Sequence, residues 1–201
     1  MKNVLFLILI VSFAFSSQAQ KIKLQDGNLK FLKGVKDLGV EFTYEDLTVG
    51  KLTEEQYIAN KVEDANDHEP GSGDNWPDLW YGDRPDHYEP KFIELFNIIM
   101  LEEGVTLTES VESVNYKMIV KTIFIEPGFN VGIMRKSALI NLIIDFVATD
   151  DPTTILATFT IDKSPGGTPF GYDYDSGIRV GEAYAKASKY FAKYLLKKNV
   201  F

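Results

Sequence analysis

Two adjacent stretches in which every second side chain is apolar constrain the fold of this chain more than any other feature. In 137–149, every second residue from Ala138 to Ala148 is apolar and the residues between them are mixed, while in 153–162 the apolar positions 155, 157, 159 and 161 alternate with a face that carries three threonines. Successive side chains of a strand point to opposite faces, so the pattern predicts two strands that each bury one face. The Asp-Asp-Pro sequence at 150–152 predicts a turn between them, and hence antiparallel pairing.

The flanking segments extend this sheet and supply a helix to cover it. Residues 115–126 predict a third strand that ends at Pro127 and Gly128, and 39–45 predicts a further one. In 178–198, apolar residues recur at helical spacing. A helix with one apolar stripe beside a sheet with one apolar face predicts an α+β fold of two layers. We expect a mostly antiparallel sheet of about four to five strands, packed by two to three helices.

The first nineteen residues have the pattern of a signal peptide. Lys2 precedes an apolar run at 4–15 that is too short to span a bilayer comfortably, and Ser17 and Ala19 place small residues at the −3 and −1 positions. We therefore expect a signal peptide at 1–19 and a single domain at 20–201; an N-terminal membrane anchor is the alternative. The polar residues 21–28 predict a flexible arm.

Charge and cysteine content narrow the class of protein. Lys2 is the only charged residue of the predicted signal peptide, so its removal takes the formal net charge from −8 to −9. An acidic protein repels phosphate backbones, which argues against nucleic-acid binding. The chain has no cysteine, which excludes disulfides and a lipid-modified N-terminal cysteine. We expect an exported protein, periplasmic or secreted, with no integral membrane segment in the mature chain.

The stretch 66–89 shows neither the alternation of a strand nor the apolar spacing of a helix. It lies between a predicted helix that opens at Thr53 and another that starts at Pro90. It holds three prolines, three glycines, both tryptophans and both histidines, which predicts a long Trp-rich loop. Aromatic faces beside carboxylates and an arginine are typical of carbohydrate and peptide sites. The candidate ligand-binding residues of this loop are Trp76, Trp80, Asp78 and Arg84. The alternative is that the tryptophans pack the loop onto the domain as a local cluster.

A second group of candidates lies in the connections 127–136 and 163–176. Antiparallel pairing places both connections at the end of the sheet where the C-terminal helix begins. The candidate ligand-binding residues at this end of the sheet are Phe129, Arg135, Phe170 and Tyr172, together with Arg179 at the start of the helix. Aromatic and arginine side chains are typical of partner-binding surfaces, although these aromatics would also serve to pack the loops together. We expect the Trp-rich loop at the opposite end of the sheet.

Known catalytic and metal-binding patterns do not fit. The sequence has no G-x-S-x-G elbow, and no Lys-Ser/Thr pair follows Gly166 and Gly167. The acids at 64–78 suit calcium in chemistry, but Glu69 stands where an EF-hand needs glycine. The two histidines lack the partners of a zinc site. We therefore expect no catalytic residue, no metal and no cofactor.

Four runs of residues carry a resemblance to known proteins. The runs at 32–34, 40–44, 126–132 and 170–177 resemble a group of exported bacterial proteins of unknown function, over nearly the whole mature chain. The order of elements is loosely similar to periplasmic accessory domains of envelope-transport systems, of the TolB N-terminal kind. The first resemblance implies no activity, and the second implies a partner-binding role.

These observations favour a non-catalytic exported domain that binds a partner protein or an envelope ligand. The alternative is a carbohydrate-binding or carbohydrate-active protein that uses the Trp-rich acidic loop, with a glycan in place of a periplasmic protein partner. The two differ in one observable way. A sugar site would expose Trp76 or Trp80 flat beside paired carboxylates, whereas a structural loop would bury both rings.

The signal-peptide assignment predicts that the exported protein begins at Gln20. Intact-mass measurement on exported material should give the mass of residues 20–201, because a peptidase recognises the small residues at Ser17 and Ala19. A mass that retains Met1 to Ala19 would show that the segment is an anchor.

Overall fold

The computed structural model describes residues 20–131, 134–167 and 175–201. Within these ranges the strands are β1 (Lys21–Gly27), β2 (Asp37–Thr43), β3 (Thr48–Val49), β4 (Leu52–Thr53), β5 (Thr106–Thr108), β6 (Tyr116–Glu126), β7 (Phe129–Val131), β8 (Met134–Lys136), β9 (Leu139–Ala148) and β10 (Ile155–Pro165). The α-helices are α1 (Glu54–His68), α2 (Trp76–Asp83), α3 (Glu89–Met100) and α4 (Ser176–Lys198), with a π-helical turn, Arg84–Tyr88, between α2 and α3. The predicted signal peptide lies outside the described residues.

The main sheet, over the described residues, has eight strands and mixed pairing. Its order is β1-β10-β9-β6-β2-β5, with β3 beside the end of β6 and β4 beside β3. The strands β1, β10, β9 and β6 pair antiparallel, whereas β2 runs parallel to both β6 and β5. The prediction of a two-layer fold with four to five mostly antiparallel strands is therefore wrong, although the chain is α+β overall.

The N-terminal edge strand is the main strand that the sequence did not predict. Residues 21–28, predicted as a flexible arm, form the edge strand β1, whose side chains are almost all exposed. β1 pairs along β10 from Lys21 opposite Asp162 to Gly27 opposite Ala157. In β1 only Ile22 and Leu24 alternate with polar residues. Two apolar positions on a mostly exposed edge strand are too short a pattern to identify it from the sequence.

The predicted strands β6, β9 and β10 are confirmed, and so are the inward faces predicted for β9 and β10, apart from the exposed Ile155. Ile140, Leu142, Ile144 and Phe146 are fully buried, while their odd-numbered neighbour Ile143 is only partly covered. Helices α3 and α4 cover this face. The ring of Phe191 in α4 packs edge-on to Phe159 with centroids 5.1 Å apart, and Phe92 in α3 packs likewise on Phe42 in β2 at 5.7 Å.

The helix boundaries follow local capping rules. Thr53 and Gln56 form a capping box at the start of α1, as the predicted helix opening at Thr53 requires. Asp175 caps α4, since its carboxylate accepts a hydrogen bond from the Gly177 backbone at 2.7 Å. At the other end, Asn199 closes α4 in the left-handed conformation, with φ of 51°.

The stretch 66–89 is not the long loop that we predicted. It contains the end of α1, all of α2 and the π-helical turn, with irregular chain only around 69–75. Prolines 77, 85 and 90 each stand in the first turn of a helical segment. Prolines 85 and 90 lie in helical backbone that continues from Trp76 into α3, since the residues before their segments, Asp83 and Tyr88, are themselves helical. Proline removes a hydrogen bond of a regular helix, and the π-helical turn is where this helix departs from the regular pattern. Proline content alone therefore does not identify 66–89 as a loop.

The end of the sheet where β6 and β10 finish and the β7–β8 hairpin lies is called the hairpin end below. The Arg179 guanidinium at the start of α4 donates through Nε to the Pro127 carbonyl at 3.0 Å, which confirms that both connections emerge there. The expectation that the Trp-rich stretch lies at the opposite end is wrong. Because α3 runs antiparallel to the strands that follow it, its start also lies at the hairpin end, where Tyr88 stacks on Tyr184 of α4.

In the described part of the chain, no helix is both long enough and apolar enough to span a bilayer.

The same change from isoleucine to aspartate should have different effects on the two faces of β9. Ile144→Asp puts a charge among fully buried side chains and should lower the free energy of unfolding by several kcal/mol, roughly 3 or more. Ile143→Asp is the matched control, because its site lies between Lys121 and Thr160 on the other face. Chemical denaturation of both variants checks the prediction, and equal losses would contradict the assigned faces.

Candidate functional site

The two tryptophans of α2 pack against α1 and not toward solvent. Trp80 is only 3% exposed, and its Nε1 donates to a Glu54 carboxylate oxygen at 2.7 Å. Trp76 is half-buried and stacks on Trp80, with ring centroids 5.5 Å apart and planes 15° from parallel. Tyr57 of α1 meets both rings. This arrangement matches the local cluster that we gave as the alternative, and it leaves Trp80 no free face for a sugar ring.

Arg84 completes this cluster. Its guanidinium donates to the same Glu54 oxygen at 2.6 Å, and it lies over the rings of Tyr44 at 4.0 Å and Tyr81 at 4.9 Å. A guanidinium held by a carboxylate and two aromatic faces has most of its binding capacity already used. Asp78 stands apart on the exposed side of α2. The four candidates of the Trp-rich stretch therefore do not converge on one pocket.

A buried polar network links this cluster to the sheet. The Tyr44 hydroxyl donates to Glu89 at 3.0 Å, and the hydroxyl of the fully buried Tyr184 meets that of Thr122 in β6. Burial raises the pKa of Tyr44 and of Tyr184 far above the usual value, so both stay neutral. Burial likewise raises the pKa of Glu89. No local sequence pattern reveals this network, because its members are scattered along the chain.

Asp83, at the end of α2, lies against the first turn of α4. A Cβ placed on Gly177 would come within 2.2 Å of an Asp83 carboxylate oxygen, so any larger residue at 177 would require the Asp83 side chain to move. Burial, then repulsion from Asp175, raises the pKa of Asp83 to about 6, against a smaller lowering influence of His87. The folded protein therefore holds a proton on this carboxyl more tightly than a solvated aspartate does.

Arg179, predicted as a partner-binding anchor, is instead an internal brace. It is 5% exposed, and its guanidinium donates to the carbonyls of Pro127 at 3.0 Å and Gly128 at 3.3 Å. Gly128 has a positive φ of 64°, which fits the turn that starts the hairpin. Arg179 therefore fixes the base of the β7–β8 hairpin on α4.

The β7–β8 hairpin carries the most exposed apolar group at this end. Phe129, Val131 and Met134 are 43%, 64% and 62% exposed. Val131 pairs with Met134, and Phe129 pairs with Lys136, so the three apolar side chains share one face. Arg135 lies on the other face, opposite Asn130. The sequence signal for Val131 is its period-two spacing from Phe129, which places both side chains on one face of a strand.

The structure thus gathers some candidates and leaves others unplaced. The Trp cluster, Arg84, Arg179 and the hairpin all lie toward the hairpin end, although Arg179 and the tryptophans point into the protein. Phe170 and Tyr172 lie outside the described residues. Over the ranges that the structure describes, no three His, Asp or Glu side chains converge as a metal site requires.

Comparisons with known proteins identify no family. No family model matches the sequence, and no curated protein matches it either. The solved structures with similarity include a PelC dodecamer from Paraburkholderia phytofirmans and a single-substitution variant of it, at 8% and 6% identity. Each match covers 85% of this chain and 98% of that chain, with a TM-score of 0.36. Similarity at this level carries no argument about function.

The raised pKa of Asp83 predicts that this residue makes the stability of the folded protein depend on pH. The folded state binds the Asp83 proton more tightly than the unfolded state does, so stability is lost as the pH rises from about 4 to about 6. Asp83→Asn should therefore stabilise the protein at about pH 7.5, by roughly 1 kcal/mol for this partly exposed group, and by less at about pH 4.

Thermal melts across this pH range check the prediction. Asp78→Asn is the matched control, since Asp78 belongs to the same helix and is exposed. A gain for Asp83→Asn that is equal at both pH values would show that the carboxyl carries no such cost.

Proposed function

We propose that this chain is an exported, non-catalytic domain that docks onto a partner protein through the apolar face of its β7–β8 hairpin. The observation that supports this most directly is the exposure of Phe129, Val131 and Met134 on one face of that hairpin. Exposing large apolar side chains to water is unfavourable in free energy. Apolar side chains exposed side by side are therefore typical of interaction surfaces.

The hairpin is braced, which lowers the ordering cost of binding. Its base is held by the hydrogen bonds from Arg179 to the Pro127 and Gly128 carbonyls. A second brace is the ion pair between Lys136 and Glu126, with Nζ and Oε2 2.6 Å apart. A surface that is ordered before binding loses less conformational entropy on association than a flexible loop does.

The partner chemistry follows from the size and charge of the surface. Three clustered apolar side chains make a small patch that suits an apolar cleft better than a broad flat interface, in the way that anchor residues occupy pockets. The chain as a whole is acidic, with a formal charge of −8. Anionic lipid would repel such a protein, so a protein cleft fits the hairpin better than a bilayer surface does.

Export to an envelope or extracellular compartment is the second part of the proposal. It is supported by the signal-peptide pattern at 1–19. The alternative, glycan binding by the Trp-rich stretch, has lost its main support. Trp80 is buried, and Trp76 offers only the outer face of a ring that is stacked on its neighbour.

A paired loss of apolar side chains tests the docking surface. Val131→Ser with Met134→Ser should weaken capture of the partner roughly tenfold or more, because both side chains would leave the apolar face. The control is Ile98→Ser with Leu101→Ser, which removes side chains that are 56% and 75% exposed on another surface. Both variants should keep the melting temperature of the unmodified protein.

The measurement is affinity capture from envelope extract, repeated with a photo-crosslinking residue at position 129 to identify the bound protein. A protein that crosslinks at this position and is lost only from the hairpin variant would support the proposal. Identical recovery by both variants would contradict it. Hairpin-dependent binding to lipid vesicles, or hairpin-dependent self-association in sedimentation, would assign the face to a membrane or to a second copy instead.

A further inference from the structure

A groove at the opposite end of the sheet has a different chemistry from the hairpin. It lies between the edge strand β1 and the last turns of α4 and has a volume of about 490 Å³, within the range of small-molecule sites. Its apolar lining consists of Leu24, Leu29, Tyr194, Val200 and Phe201. Its charged lining consists of Lys30, Lys33 and Lys198.

The groove exists because α4 covers the central strands and leaves the edge strand open. Tyr194 of α4 packs on Phe159 of β10, with ring centroids 5.6 Å apart. Leu24 of β1 pairs with Phe159 and so points to the same face of the sheet. It is nevertheless 38% exposed, because the helix does not extend over β1. An inward-facing leucine is thus left uncovered beside the helix.

Both walls of the groove are held in fixed conformations. Gly27 turns the chain away from β10 with φ of 78°, and a Cβ there would come within 2.0 Å of the Leu156 carbonyl oxygen. The Asn28 side chain then accepts a hydrogen bond from the Lys30 backbone at 3.1 Å. On the other wall, Asn199 donates from its backbone to the Leu196 carbonyl at 2.9 Å. The groove is therefore formed before any ligand arrives.

The charge at this groove is opposite to that of the chain. In the described ranges, none of Lys30, Lys33 and Lys198 is ion-paired with a carboxylate, and no acidic side chain lines the groove. Lys198 lies over the Tyr194 ring, 5.7 Å from its centroid. Elsewhere Lys117 and Lys121 are each paired with an acid. Three unpaired ammonium groups beside an apolar floor attract an anion that also has apolar surface.

We propose that this groove binds a small amphipathic carboxylate of the fatty-acid class. The apolar chain lies along Leu24 and Tyr194, where it covers the surface that α4 leaves open. The carboxylate lies among the ammonium groups of the three lysines, which compensate its charge. The site is independent of the hairpin, which lies at the other end of the sheet.

Calorimetric titration with decanoate, kept below its micelle concentration, tests the site in the exported form of the protein. Decanol is the neutral probe with the same chain. We expect one decanoate per protein molecule, decanol binding weaker by roughly tenfold or more, and a decanoate affinity that falls as salt is added. Failure of decanoate to bind, or equal affinities for the two probes, would overturn the proposal.

Two triple variants separate the groove lysines from general charge effects. Replacing Lys30, Lys33 and Lys198 by glutamine should weaken decanoate binding roughly tenfold or more and abolish its preference over decanol. The control replaces Lys51, Lys61 and Lys163, three lysines that do not line the groove, by glutamine and should bind decanoate as before. Equal losses in the two triple variants would overturn the site.

Leu24→Ser reports on the apolar half of the groove. It should weaken the binding of decanoate and decanol by similar factors, because it removes contact with the chain and not with the acid group. An unchanged affinity for both probes would contradict the assigned position of the chain. Binding to phosphatidylglycerol vesicles without any binding of decanoate would assign this face to a membrane surface and overturn the small-ligand site.

Discussion

A buried hydroxyl must find its hydrogen-bond partner inside the protein, and the buried hydroxyl of Tyr184 thereby fixes how α4 packs on the sheet. Its hydroxyl meets Thr122 of the central strand β6, and its ring stacks on Tyr88 of the π-helical turn. One side chain thus joins the sheet, α4 and the segment that leads into α3. The Trp cluster, Asp83 and the start of α3 depend on that junction for their positions at the hairpin end.

Helix α4 connects the two surfaces to which we assign roles. Its first turn is capped by Asp175 and carries Arg179, which braces the hairpin, while its last turns carry Tyr194 and Lys198 at the groove. A helix of 23 residues is roughly 34 Å long at 1.5 Å per residue. The two surfaces therefore share a rigid support but no side chains. A ligand at one need not compete with a partner at the other.

Sequence patterns predicted the helices and strands that have one apolar and one polar face. They missed the features that depend on contacts between residues distant in the sequence. The alternation around Ile144 and the stripe of α4 are local, so they identified the buried faces correctly. β1 has only two alternating apolar residues, Ile22 and Leu24, and the prolines of 66–89 lie in helical segments as well as in irregular chain. The Trp80–Glu54 bond and the groove between Leu24 and Tyr194 join distant positions, so no local period could reveal them.

The parallel pairing of β2 with β6 has a consequence for the order of folding. Gly39 lies beside Lys117, with α1, α2 and α3 in the connection between them, whereas β6, β9 and β10 are neighbours along the chain. Closing the longer connection costs more chain entropy, which favours early formation of the later hairpins. A chain that emerges N-terminus first must then keep β1 unpaired until β10 has followed, and the edge of β2 that pairs with β6 open until β6 has followed. During that interval their backbone edges are open to aggregation, and a holding chaperone would have its main task there.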